Sequence, residues 1–172
     1  MVKKCVADIA SNFTTHRMLK DYQERFYNKL YDRNKLICAN DFTIAREIAA
    51  WKRRVSNSWD KVHIVSVQQF DMGKGAVMLE NDYSVEVVVD INDLRPEDIG
   101  VELVVARQID SPSDIKIRGR YQLKFDRIEG SNAYYVLEMK PGSTGSFDLA
   151  LRVYPKNEKL PHRMDFALVK WA

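Results

Sequence analysis

The residues able to do chemistry are few and scattered. The three histidines, His16, His63 and His162, lie far apart in the chain. A hydrolytic triad assembles only in the fold, so spacing alone leaves one open. Neither a GxSxG nucleophile turn nor an HExxH zinc helix accompanies them. GxGxxG and GxxxxGK[ST] are also missing, so the common backbone cradles for phosphate are not present. Glu97-Asp98 follows Pro96, a setting in which carboxylates organise turns more often than they move protons. Cys5 and Cys38 lack CxxC spacing and have no histidine at zinc-ligand distance in sequence. Both are expected to be reduced, with the role of small hydrophobes. Lys52-Arg53-Arg54 between Trp51 and Trp59 is a basic cluster beside aromatics, a pattern nucleic-acid binders use. A net charge of +3 is a weak field for such a partner, and cations suit the end of a helix for its dipole alone. Trp51, Trp59 and Trp171 could form a stacking platform for sugars. Trp51 falls on an apolar helix stripe, which favours a core role, while Trp59 sits at the helix–strand junction and Trp171 at the chain end.

The elements that would position these residues divide the chain in two. Residues 14–31 place Met18, Leu19, Tyr22, Phe26 and Leu30 at steps of three and four, the stripe of an amphipathic helix. Thr14 or Thr15 can cap its start, and Asp32-Arg33-Asn34 is expected to end it. Residues 41–58 repeat the pattern with Ile44, Ile48, Trp51 and Val55, with Asp41 as N-cap and Ser56-Asn57-Ser58 as the stop. Two such helices make a marginal core alone, so their stripes must lie against the rest of the chain or another protein body.

From about residue 62 the apolar period becomes two. Strands are expected over 62–70, 83–91, 99–107, 120–128, 133–139, 147–153 and 166–171. Turn signals separate them at Asn81-Asp82, Arg95–Asp98, Ser111–Asp114, Gly130–Asn132, Pro141–Ser143 and Tyr154-Pro155. The fold class is therefore α+β: two N-terminal amphipathic helices, then an antiparallel sandwich of immunoglobulin-like type. The domains are expected at 1–60 and 61–172. The charges follow the same split, with 12 basic and 7 acidic residues in 1–60 against 15 and 17 in 61–172.

Hydrophobic residues make up 45% of the 172 and charged residues 30%, which excludes wholesale disorder. No apolar run reaches the roughly 18 residues of a membrane span. Asp8 cuts the apolar stretch of MVKKCVADIASNF, so no secretory signal is expected there. A cytoplasmic protein with neither a nucleic-acid nor a membrane partner is the expectation.

Several strings carry a family resemblance. Ile9–Met18 with Asp21-Tyr22 and Phe26-Tyr27 resembles the closing helix of α-glucan phosphorylases, with its F-[ST]-[ST]-x-R segment. Ala49–Val55, with Trp59 and Val62, resembles the A-W-K-x-R-V…W-x-x-V stretch of the bacterial short-type branch. Asp93–Leu103, Gly145-Ser146-Phe147…Arg152–Pro155 and Leu168–Ala172 are similar to that branch's β extension.

The resemblance implies a C-terminal piece of such an enzyme. Its two Rossmann-like lobes bind α-1,4-glucan, phosphate and pyridoxal phosphate, and its cofactor lysine lies upstream of the closing helix. No catalytic, cofactor or metal residue is therefore expected in this chain, and Lys3 and Lys4 lack the motif around a Schiff-base lysine. Pyridoxal phosphate would belong to the intact enzyme only. The remaining catalytic lobes are the expected partner and α-glucan a further candidate. Met18, Leu19, Tyr22, Phe26, Ile44, Ile48 and Trp51 are the candidate interface, the last three against lobe or sandwich. The alternative is a standalone β-sandwich module binding carbohydrate or protein. Phe147 stands where related tails often carry a tyrosine, so a corner hydrogen bond from that hydroxyl is not expected here.

Overall fold

The computed structural model describes residues 2–5, 13–70, 83–108, 114–140 and 147–172. The expected turns at Asn81-Asp82, 111–113 and 141–143, and the resemblance residues 9–12 and 145–146, lie outside the described residues. The chain forms two compact units, Met1–Ala49 and Ala50–Ala172.

The first unit is helical. After a single turn, α1 (Val2–Cys5), helix α2 spans Thr15–Tyr22. Thr14 caps it, its Oγ1 accepting from the Arg17 backbone N–H at 3.2 Å. Arg17 bonds Asp21 one turn on at 2.8 Å. A π-helical turn, Gln23–Tyr27, leads into α3, Asn28–Ser58. The helix boundary expected at Asp32-Arg33-Asn34 does not form there. Asp32-Arg33-Asn34 continues as helix, because Asp and Asn are only mild helix opponents, Arg is a good helix former, and no Gly or Pro stands among them. The break comes later. Ala39 turns extended (ψ 150°), and Asn40, Asp41 and Phe42 follow with φ of 50°, 54° and 59°. Asn and Asp tolerate this left-handed region better than most residues. Asp41 does not cap a helix but lies in this run and pairs with Arg46 at 3.0 Å.

The second unit begins inside α3. Trp51 and Val55, four apart, turn one face of the helix end into its core, and a 3-10 turn, Trp59–Lys61, adds Trp59 before Val62. Eight strands follow among the described residues: β1 His63–Phe70, β2 Tyr83–Asp90, β3 Ile99–Gln108, β4 Ile115–Gln122, β5 Lys124–Glu129, β6 Asn132–Met139, β7 Asp148–Pro155 and β8 Lys170–Trp171. They make two four-stranded antiparallel sheets, ordered β1-β2-β6-β5 and β4-β3-β7-β8. Val85, Val87 and Val89 of β2, Tyr135 of β6, Val101 and Leu103 of β3 and Val153 of β7 join Trp51, Val55, Trp59 and Val62 in one buried cluster. The sheets therefore share a single apolar core, as their period-two alternation requires.

Two strand expectations change. The strand expected over 120–128 is the end of β4 and the start of β5, parted at Leu123. Leu123 is buried and its N–H bonds the Val101 carbonyl at 2.9 Å. The segment 166–171 supplies only the two-residue β8, after a 3-10 turn at Arg163–Phe166. Gly130 alone in the β5–β6 turn takes a positive φ, 64°, which admits a two-residue connection between paired Glu129 and Asn132.

Candidate functional site

The end of α3 is fastened to the sheets through one carboxylate. Arg95-Pro96-Glu97-Asp98 folds as a 3-10 turn because Pro96 presets its first residue and Asp98 reaches back to the Arg95 N–H at 3.2 Å. The buried Asp98 also accepts from Trp51 Nε1 at 2.7 Å and from Arg54 Nη2 at 2.9 and 3.0 Å. Phe166 meets the Trp51 ring edge-on, with centroids 5.4 Å apart, and Lys52 Nζ donates to the Asp165 carbonyl at 2.9 Å. Two members of the basic cluster, Lys52 and Arg54, thus have partners within the chain.

Beside this anchor lies a cleft of about 850 Å³. The Pro96–Asp98 turn, the β4–β5 junction and the segment after β7 enclose it, and Tyr135 of β6 lies at its floor. The Tyr135 hydroxyl donates to the Pro96 carbonyl at 3.2 Å. Burial first, then the charges of Glu97 and Asp98, raise this phenol far above its ordinary value, so it stays a protonated donor. Phe125 meets the Tyr135 ring edge-on at 5.9 Å and is itself half exposed to the cleft. The Asp98 carbonyl accepts from the Lys156 N–H at 2.8 Å, and the Asn157 side chain accepts from the Lys159 N–H at 2.9 Å. Lys124, Lys156, Glu97 and Glu158 put both signs of charge on the walls. These groups can bind and orient a polar ligand. They include no serine, cysteine or histidine that would serve as a nucleophile with its base.

A second buried carboxylate lies on β3. Glu102 is held by Arg152 and by Arg163, the latter at 2.6 Å. Tyr154 lies beneath Arg163, its phenol raised chiefly by burial, and its ring covers Gly100, where an added Cβ would meet it at 2.5 Å. On the outer surface Arg127 gathers Asp126, Glu129 and Glu86 at 2.7, 3.0 and 3.2 Å and stacks on Tyr134. Its guanidinium, and next the Tyr134 hydroxyl, hold the Glu129 carboxyl below the usual range.

The histidines do other work. His63 Nδ1 contacts the Lys61 carbonyl at 2.9 Å, His162 Nδ1 accepts from the Met164 N–H at 3.0 Å, and His16 sits exposed in the first unit. Among the described residues no group of three His, Cys, Asp or Glu is placed to hold a metal ion. The three tryptophans do not make a platform. Trp51 and Trp59 are buried in the core, and only Trp171 is exposed, with Arg152 over its ring. Cys38 is a free, exposed thiol, contrary to the small-hydrophobe expectation, and the side chain of Cys5 lies outside the described residues.

The seven candidate interface residues fall into three groups. Met18, Leu19, Tyr22 and Phe26 are exposed, Leu19 by 55% and Phe26 by 54%. Neither α2 nor the π turn buries a residue. Ile44 and Ile48 are half-buried. Trp51 is only 6% exposed, so this chain already covers it. Phe13, Tyr27, Tyr31, Leu36 and Phe42, which are not part of that stripe, are exposed as well.

A family model of the glycogen phosphorylase C-terminal domain matches residues 59–172. The chain belongs to that family. A maltodextrin phosphorylase from Thermococcus litoralis is 34% identical over 99% of this chain, which covers 20% of that protein. Glycogen phosphorylases of Mycobacterium tuberculosis and Mycobacterium bovis are 26% and 27% identical over 62% of the chain and 12% of their own lengths. The chain thus spans about a fifth or less of the curated relatives it matches. No solved structure gives a significant match. The family match covers the whole of the second unit except its opening helical turns.

Proposed function

We propose that this chain serves as the C-terminal part of an α-glucan phosphorylase, closing the catalytic body and carrying an accessory β domain. The intact enzyme would transfer a glucosyl unit from α-1,4-glucan to phosphate with pyridoxal phosphate. Its catalytic and cofactor residues would lie in lobes outside this chain. The observation that carries this reading is the apolar face of the first unit. Met18, Leu19, Tyr22 and Phe26 stand exposed on a chain that spans 20% of its maltodextrin phosphorylase relative. Exposed apolar patches of this kind mark interaction surfaces. The remaining lobes are their natural cover, and Ile44 and Ile48 extend the contact.

The finer architecture follows the same reading. Strand orders β1-β2-β6-β5 and β4-β3-β7-β8 correspond to A-B-E-D and C′-C-F-G of an immunoglobulin-like sandwich, which supports that assignment for 61–172. The family match beginning at residue 59 favours a domain boundary near 60, while the compact second unit already starts at Ala50. The free Cys38 thiol suits a reducing compartment, and we assign the protein to the cytoplasm. No helix among the described residues is long and apolar enough to cross a membrane. The alternative of a standalone carbohydrate- or protein-binding module draws on one observation, the cleft beside Phe125.

The docking role has a direct test. The isolated chain should bind a hydrophobic dye or self-associate, and Leu19→Asp with Phe26→Asp should abolish most of that signal. A monomeric chain that binds no dye contradicts the reading.

A further inference from the structure

We propose that the cleft between the Pro96–Asp98 turn, the β4–β5 junction and the segment after β7 is an accessory binding site for a short α-1,4-glucan. This deepens the phosphorylase reading, which supplies the choice of glucan; the existence of an oligosaccharide site rests on the cleft itself. The volume, about 850 Å³, falls within the usual range of ligand sites and has room for a short oligosaccharide.

The cleft wall has the two surfaces that sugars need. Phe125 supplies an apolar face, and it is a fixed one. Its ring rests on Tyr135, which is 2% exposed and tied through its hydroxyl to the Pro96 carbonyl. A pyranose presents a face of C–H groups, slightly positive, to the negative face of an aromatic ring. Phe125 is also out of place as an ordinary strand residue: its β5 neighbours Lys124, Asp126 and Arg127 are charged, and every β5 residue is exposed. Around it stand donors and acceptors in mixed array: Lys124, Lys156 and Lys159 against Glu97 and Glu158, with Gln122 beside them. The opposed charges largely cancel, so an anion or a peptide of one sign gains little from the site. A neutral polyhydroxyl ligand, which donates and accepts at every ring, can use all of them.

The same lysines and glutamates are exposed, so they can be changed without disturbing the core. The full 172-residue chain should be retarded in gels cast with amylopectin, and free maltoheptaose should relieve the retardation. Titration calorimetry with maltoheptaose should then give a measurable constant. Phe125→Ala should weaken binding at least about tenfold, and Glu97→Gln with Lys156→Met by a few-fold, while the far-ultraviolet spectrum and unfolding midpoint of the latter stay unchanged. Cellohexaose and inorganic phosphate serve as controls. Absence of retardation and of calorimetric heat overturns the proposal, and so does unchanged binding in both variants. Equal binding of cellohexaose overturns the α-glucan assignment, and binding of phosphate alone overturns the oligosaccharide site. Failure here leaves the docking reading standing, because that reading is tested by dye binding and self-association.

Discussion

Replacing Asp98 with alanine should loosen the end of α3 from both sheets. Three kinds of bond disappear together. Trp51 Nε1, whose side chain is 6% exposed, loses its acceptor at 2.7 Å. A buried donor left without a partner costs about 1–3 kcal/mol. Arg54 loses both its contacts, but it is 46% exposed and regains water, so its share is about 1 kcal/mol or less. The Arg95 N–H loses its turn-closing bond at 3.2 Å, a net of about 0.5–1.5 kcal/mol. The sum is roughly 3 kcal/mol, a midpoint shift on the order of 10 °C for a domain of this size. Asp98→Asn keeps an oxygen for Trp51 while presenting an amide to Arg54, so it should cost about half as much. Thermal unfolding of the full chain followed by tryptophan fluorescence reads both, since Trp51 itself reports the change. Pairing Asp98→Ala with Trp51→Phe should cost clearly less than the two changes summed, because they remove one shared bond. An Asp98→Ala chain within about 0.5 kcal/mol of the parent, or additive effects in the pair, would refute the reasoning.

Two further outcomes follow from local geometry. Glu129 titrates below its ordinary range because of Arg127 and then Tyr134. A folded value below the unfolded one gives stability that is complete above pH about 4.3 and is lost as pH falls through the lowered value. Arg127→Met should bring the Glu129 carboxyl back toward the ordinary value in an NMR titration; an unmoved curve counts against the pairing. At Gly100 an added side chain meets the Tyr154 ring at 2.5 Å, so Gly100→Val should destabilise by about 1–3 kcal/mol. Adding Tyr154→Ala should recover part of that loss, and no recovery would mean that backbone, not the ring, sets the cost.

Much of the β architecture is legible in the chain because its central strands bury one face. Val85, Val87 and Val89, or Val101 and Leu103, leave a period-two signature that nothing else explains. The edges leave a weaker one. β4 carries Ile115 and Ile117 between Lys116, Arg118 and Arg120 and is exposed almost throughout, so its pattern merged with that of β5. The first helix runs past Asp32-Arg33-Asn34 because polar residues weaken a helix without stopping it. The actual break needs three successive left-handed residues, which composition does not announce. The role of Asp98 depends on Trp51, 47 positions away, and the cleft on four separate segments. Phe125 alone among charged neighbours was a usable signal for the latter. The stripe of Met18, Leu19, Tyr22 and Phe26 is legible from its helical spacing, whereas its exposure is seen only in the structure. Trp51 shared that spacing, yet its side chain is taken up by the second unit's core.

The central claim is that the first unit lies against the body of a phosphorylase, and a chimera tests it most directly. The fifth of the Thermococcus litoralis maltodextrin phosphorylase that this chain matches is exchanged for these 172 residues. The account predicts a folded chimera that phosphorolyses maltodextrin, and at least about tenfold loss of activity together with a lowered unfolding midpoint when Leu19→Asp and Phe26→Asp are introduced. A chimera indifferent to both charges, or maltodextrin phosphorolysis by the 172 residues alone, would contradict it.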